Sequence, residues 1–257
     1  MISLILLITA CVFSLLTFYS GFGLGTLLTP VMMLFFPFDI AIALTGIVHL
    51  FNNLLKFVLV KKYINWQVFL QFGLPAIGFA FIGSYILLLT TRLPILTSYE
   101  LLGKTHHIEP MKLLISFLLI IFTLMDFIPK LKNVTFDKKY LSLGGALSGF
   151  FGGLSGNQGA LRSVFLIKSG LSKEAFVATG VAVSTAVDIT RLSVYFNRLT
   201  NINTQSNLMT LLFALSGALL GTWIGNRLLK KITMQNVQLI TTCFLILISI
   251  LLGIGVI

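Results

Sequence analysis

From Gly152 to Gly159 the chain carries a glycine cluster, Gly152-Gly153-Leu154-Ser155-Gly156-Asn157-Gln158-Gly159, followed by Ala160-Leu161-Arg162-Ser163. Such a cluster interrupts a helix, and the helix that restarts carries unpaired backbone N–H groups and partial positive charge at its N-terminal end. That end attracts anions. Asn157, Gln158, Arg162 and Ser163 add two amides, a guanidinium and a hydroxyl within about two turns of the restart. The planar fork of Arg162 suits a tetrahedral or pyramidal oxyanion. The alternative is that Arg162 snorkels to the surface or ties down the hairpin through backbone carbonyls. An earlier cluster, Gly21-Phe22-Gly23-Leu24-Gly25, is a second break, and Gly23 and Gly25 are its candidate contacts with a substrate.

Two polar stripes accompany the breaks. Ser184, Thr185, Asp188 and Arg191 recur at three- and four-residue spacing on a segment otherwise rich in Val and Ala, which sets them on one helix face. Asp188 and Arg191 can pair, as a coupling or gating element or as a structural ion pair near the outer helix end. The other stripe holds Thr45, His49, Asn52, Asn53 and Lys56. His49 is the only histidine in a predicted span, and its unperturbed pKa of about 6.5 suits it to bind and release a proton. It can equally be a hydrogen-bonded packing residue. Lys56, one turn from the segment end, reads as a snorkelling anchor. His106, His107 and Glu109 lack a third ligand at metal-binding spacing and read as solvated loop residues. No nucleophile–base arrangement, nucleotide-binding glycine motif or cysteine cluster appears, so neither an enzyme nor a cofactor is expected. Cys11 and Cys243 sit in apolar segments and suggest no disulfide.

The elements that position these residues follow from hydropathy. At 57% hydrophobic residues, 10% charged and a mean hydropathy of +1.02 over 257 residues, the chain is too apolar for a soluble domain. Its apolar blocks of roughly 17 to 25 residues match the thickness of a bilayer core crossed by a helix. They do not alternate as barrel strands would. A first block at Ile2 to Tyr19 without a basic head reads as a membrane helix rather than a signal peptide. The fold class predicted is all-α: a polytopic helical membrane protein of about 8–10 segments, some of them re-entrant-like. Their approximate bounds are 2–20, 24–37, 39–60, 66–89, 112–128, 140–153, 158–170, 174–196, 207–229 and 236–256.

Net charge is +11, which would suggest nucleic acid in a soluble chain, but here Lys and Arg collect at segment ends. One set of connections holds Lys61, Lys62, Lys130, Lys132, Lys138, Lys139, Lys168, Lys173, Lys230 and Lys231, the other mainly Arg92, Lys104 and Arg198. The rich side is expected to be cytoplasmic, which puts both termini and the connection from Thr90 to Pro110 outside.

A shift of 134 residues superposes Gly25 on Gly159, Leu27 on Leu161, Ala41 on Ala175 and Thr45-Gly46 on Thr179-Gly180. The shift sets Leu28 against Arg162, so the cation belongs to the second half alone. The predicted units are residues 1–130 and 131–257, each of five segments. An odd number inverts the second against the first, a recurrent design of secondary transporters. Gly217, Gly221 and Gly225, and Gly73, Gly78 and Gly83, are expected to let helices approach closely.

Through Gly21-Phe22-Gly23-Leu24-Gly25 with Pro30, the cluster from Gly152 to Gly159 with Leu161-Arg162-Ser163, and the helices after each, the chain resembles the sulfite exporter TauE/SafE family over about residues 8 to 255. The second cluster departs from the denser glycine run and proline often found there. The resemblance implies a bacterial plasma-membrane carrier, an exporter of small sulfur-containing anions such as sulfite or organosulfonates. The partners expected are a small anion, the lipid bilayer and a coupling proton. Alternatives are a transporter or channel for another small anion, or a membrane assembly or sensory component that transports nothing.

Overall fold

The computed structural model describes residues 2–20, 23–90, 93–101, 103–128, 136–199, 205–228 and 234–256. Gly21, Phe22, Arg92, Pro129, Lys130, Lys132, Lys230 and Lys231, to which the sequence assigns breaks or flanking charges, lie outside these residues, as does the side chain of Arg198. Ten α-helices fall among the described residues: α1 Ile2–Ser20, α2 Leu24–Met33, α3 Phe38–Val60, α4 Trp66–Thr90, α5 Pro110–Phe127, α6 Leu141–Ser155, α7 Gly159–Leu166, α8 Lys173–Leu199, α9 Gln205–Leu228 and α10 Met234–Gly253. They coincide with the ten predicted segments to within a few residues, because run length and glycine breaks dictate both. The short segments are shorter than expected, α2 ending at Met33 and α7 at Leu166. Pro30 and Pro75 lie inside α2 and α4, a placement that neighbouring helices make tolerable in a membrane.

Four described stretches are long and apolar enough to cross a bilayer: Ile40–Tyr63, Trp66–Thr90, Lys173–Phe196 and Leu208–Gly225. Large apolar side chains such as Leu4, Val58, Phe81, Phe117, Phe196 and Leu247 stand exposed on the outside of the bundle. A helix with apolar side chains on its outer face needs lipid there. The molecule is thus a polytopic helical membrane protein.

Helix pairing follows the glycines. The most extensive contacts are α4 with α6 and α1 with α9, followed by α3 with α8 and α5 with α10. On α6, Gly145, Gly149 and Gly153 repeat every four residues, and a Cβ at each would overlap the backbone carbonyls of Phe72, Ala76 and Ala80 on α4. On α9, Gly217 and Gly221 meet the carbonyls of Leu7 and Cys11 on α1 in the same way, and Gly83 on α4 meets Phe150 on α6. Backbones this close forgo side chains in exchange for packing and weak hydrogen bonding along the seam. Two expectations need correction. Among the described residues, the three atoms nearest a Cβ on Gly73 belong to the Phe69 ring of its own helix, and a Cβ on Gly78 would meet nothing within 4 Å, so neither has the backbone of another helix pressed against it as Gly83 does.

The connection between α4 and α5 holds a two-stranded antiparallel hairpin, β1 Thr97–Leu101 and β2 Lys104–Ile108, that hydropathy alone left as a loop. His106 and His107 are part of β2. His106 stacks on Tyr99, 5.5 Å between ring centres, and its Nδ1 lies 3.3 Å from the Gly255 carbonyl. The Tyr99 hydroxyl donates to the carbonyl of Ile254 at 2.6 Å, seating the hairpin on the chain beyond α10. Glu109 pairs with Lys112 at 2.9 Å.

Candidate functional site

The two glycine breaks meet. A Cβ built on Gly25 would lie 3.6 Å from the Gly156 carbonyl and 3.8 Å from the His49 ring. His49 is at the middle of α3 and Asp188 near the middle of α8, so the breaks and both polar stripes converge halfway along the two helices. Asp188 is therefore central rather than near a helix end.

The second break is shaped by Gly156, which ends α6 with φ of +78°. That left-handed conformation disfavours any residue with a Cβ. A Cβ there would also sit 2.6 Å from Nη1 of Arg191. The turn thus frees the chain to restart as α7 and leaves room for the buried guanidinium beside it.

Around this meeting point is a cavity of about 660 Å³. Gly23, Leu24, Gln158 and Gly159 line it, which presents the N-terminal ends of both α2 and α7 to one space. Arg162 and Ser163 of α7 and His49, Asn53 and Lys56 of α3 line it as well. Arg162 crosses to α8, donating to Ser184 Oγ. Gly180 makes room for it, since a Cβ there would be 3.2 Å from Arg162 Nε. Lys56 is one helix face along from His49 and Asn53 and turns to the cavity, where a surface anchor was expected. Leu59, Val60, Phe176, Val177 and Val181 continue the wall toward the Lys61 end of α3 and the Lys173 end of α8.

Gln158 carries the clearest sign of an absent partner. It is 3% exposed and lines the cavity, yet neither Oε1 nor Nε2 has a hydrogen-bond partner among the described residues. Buried amides are rarely left so, because the lost hydration is uncompensated. Its backbone carbonyl accepts from Ser148 at 3.2 Å. Ser163 donates to the Gly159 carbonyl at 2.9 Å and keeps its lone pairs.

Behind the cavity wall is a charge cluster. His49 Nδ1 is 2.7 Å from Asp188 Oδ2, Asn53 Nδ2 donates to the same oxygen at 2.9 Å, and Arg191 Nη2 pairs with Asp188 Oδ1 at 3.0 Å. Asp188 is fully buried and Arg191 1% exposed. A carboxylate only accepts, so Nδ1 of His49 bears the proton and Nε2 is the ring nitrogen left with its lone pair, without a hydrogen bond among the described residues. Nε2 points to the first break, 3.5 Å from where a Gly23 Cβ would be.

Of the residues singled out from sequence, Gly23, His49, Asn53, Gln158, Gly159, Arg162 and Ser163 share the cavity. Asp188 and Arg191 support it from behind. Gly25 touches the second break without lining the cavity, and Asn157, 5% exposed, is in that break beside Ser155. Asn52 is turned away, accepting from Thr222 at 2.5 Å, and Thr222 in turn bonds Ser14 at 2.7 Å. Lys56 and Ser184 join the site as residues the sequence had on the right stripes without a binding role.

Interrupted helices thus bring their N-terminal ends to one cavity, lined by both polar and apolar side chains, within an apolar exterior. The chain belongs to the Sulfite exporter TauE/SafE family, whose pattern matches residues 6–252, nearly its whole length, and the family match makes this the architecture of a membrane transporter. Comparison with curated proteins and with solved structures returned no match.

Proposed function

We propose that the protein is a secondary carrier of small sulfur-containing oxyanions, sulfite or a simple sulfonate, and that the cavity is its binding site. The observation that carries this reading is Gln158, a buried amide with no hydrogen-bond partner among the described residues, set between two helix N-termini and the Arg162 guanidinium. An oxyanion would accept from Nε2, from the Arg162 fork and from the first-turn N–H groups, with Lys56 adding a second positive charge. Asn53 and Ser163 complete the polar wall, while Leu24, Leu59 and Phe176 suit an apolar substituent. Gly25, Asn157 and Asn52 hold the breaks and helices that carry the site.

Residues 1–130 and 131–257 are read as inverted repeats. The pairing supports this, because exchanging the halves turns the contact of α4 with α6 into that of α9 with α1 and returns α3 with α8 and α5 with α10 to themselves. Among the described residues, Lys138 and the connections that carry Lys61, Lys62 and Lys168 share one end: a Cβ on Gly170 would be 3.1 Å from Lys138 Nζ, and Asn65 N donates to Thr179 Oγ1 at 3.0 Å. With that end cytoplasmic, both termini are outside, the cavity wall extends inward, and the conformation is the one that loads anion from the cytoplasm for export.

The test is flux in proteoliposomes. Wild-type protein is expected to move sulfite or methanesulfonate saturably, and Arg162→Ala to abolish movement while remaining monodisperse and unfolding in a single cooperative transition. Normal flux by that variant would overturn the site.

A further inference from the structure

We propose that His49, held by Asp188, is a proton site linked to the anion site, so that one proton binds with each anion. The inference rests on the anion-carrier reading and adds what couples to it.

The geometry fixes where a proton can go. With Nδ1–H committed to Asp188 Oδ2 at 2.7 Å, the only position on the ring that can gain one is Nε2, beside Gly23 at the cavity wall. Among the described residues the charged groups around His49 are Asp188 and Arg191 from α8, Arg162 from α7 and Lys56 from its own helix. Asp188 and Arg191 cancel as a pair. A proton on Nε2 therefore adds one net positive charge to a wall that already carries Arg162 and Lys56. That charge is repelled by the empty site and attracted by an anion in it. Binding free energies are reciprocal, so the anion promotes proton uptake by the same factor that the proton promotes anion binding. Linkage of this sign is cotransport, not exchange, and net direction follows the sum of the anion and proton gradients. Asp188 acts as a positioning residue: it sets the tautomer and aims Nε2.

Methanesulfonate is the probe, because it stays a monoanion from pH 5 to 9 and any pH dependence belongs to the protein. Binding to wild-type protein in weakly buffered micelles is expected to take up about one proton per anion. Over the pH range in which that uptake is seen, its Kd is expected to rise with pH, by up to about tenfold per unit for one proton taken up per anion. His49→Gln should flatten that profile and abolish uptake. Asp188→Asn should change the profile if it folds, but the wild-type measurement does not depend on it. His106→Gln with His107→Gln should leave the profile unchanged. Methanesulfonate binding with a flat profile and no proton uptake would overturn the coupling and leave the carrier standing. An unaltered profile in His49→Gln would also overturn it. If neither methanesulfonate nor sulfite binds at any pH, the carrier reading fails and the coupling fails with it.

Discussion

Gln158 and Gly156 are neighbours in the second break, and substitution should affect them in opposite ways. The Gln158 amide has no hydrogen-bond partner among the described residues, so Gln158→Leu removes none of the hydrogen bonds described and relieves an uncompensated buried group. Thermal unfolding in detergent should show a midpoint equal to or above that of wild type, while anion affinity falls about tenfold or more, the loss of a charge-assisted hydrogen bond. A lower midpoint with unchanged affinity would make Gln158 structural. Gly156→Ala should instead lower stability by about 1–2 kcal/mol through its left-handed backbone, and by more because the methyl group meets Arg191 Nη1. The same melting experiment reads it, and an unshifted midpoint would show that the turn relaxes without loss.

At the scale of helices, a glycine matters through what arrives beside it. Gly149→Ala sets a methyl group against the Ala76 carbonyl on α4, and both α6 and α4 are held by repeated contacts of this kind, so it should shift the melting midpoint sharply downward. Gly78→Ala, on α4 itself but where a Cβ would meet nothing within 4 Å among the described residues, should raise stability by roughly 0.5–1 kcal/mol, the helix preference for alanine. If the two variants melt alike, the α4–α6 seam is not as close as described. The contrast also marks how far the sequence could be read. Helix positions were legible because length and apolarity are local, and so were the breaks. Which glycines touch a partner was not, since Gly78 and Gly149 look alike until the neighbouring backbone is placed. The stripes were legible as stripes, and the Asp188–Arg191 pair was local enough to foresee. The bond from His49 to Asp188 spans 139 positions and does not follow the 134-residue shift, so no internal repeat could reveal it. The direction of Lys56 is hidden for a related reason: near a helix end, sequence does not say whether the long stem turns to the lipid surface or to a cavity.

For the molecule as a whole, the arrangement separates seams that can slide from seams that cannot. The α4–α6 and α1–α9 contacts interlock backbone against glycine, whereas α3 and α8 share polar contacts around the cavity. Exchange between inward and outward states is therefore expected to move interlocked pairs as rigid bodies about the α3–α8 contact. Sidedness gives the check. With Cys11 and Cys243 replaced, Val177→Cys at the cavity mouth should react with a membrane-impermeant thiol reagent from the cytoplasmic face, and methanesulfonate should slow the reaction. Reaction from the opposite face alone would invert the orientation drawn from the lysines.

The pairing of α1 with α9 also orders events in time. Ser14 on α1 finds its hydroxyl partner, Thr222, 208 residues later in the chain, and the carbonyls of Leu7 and Cys11 wait as long for Gly217 and Gly221. During synthesis, the first helix must reside in the bilayer while nearly all the others are still being made. It can do so because its backbone bonds are closed within the helix, and its few hydroxyls can bond back to their own turn as Thr9 does with Ile5 at 2.8 Å. The seam that makes the finished protein rigid is thus among the last to close, and a chain stalled before α9 would leave its first helix inserted and unmatched.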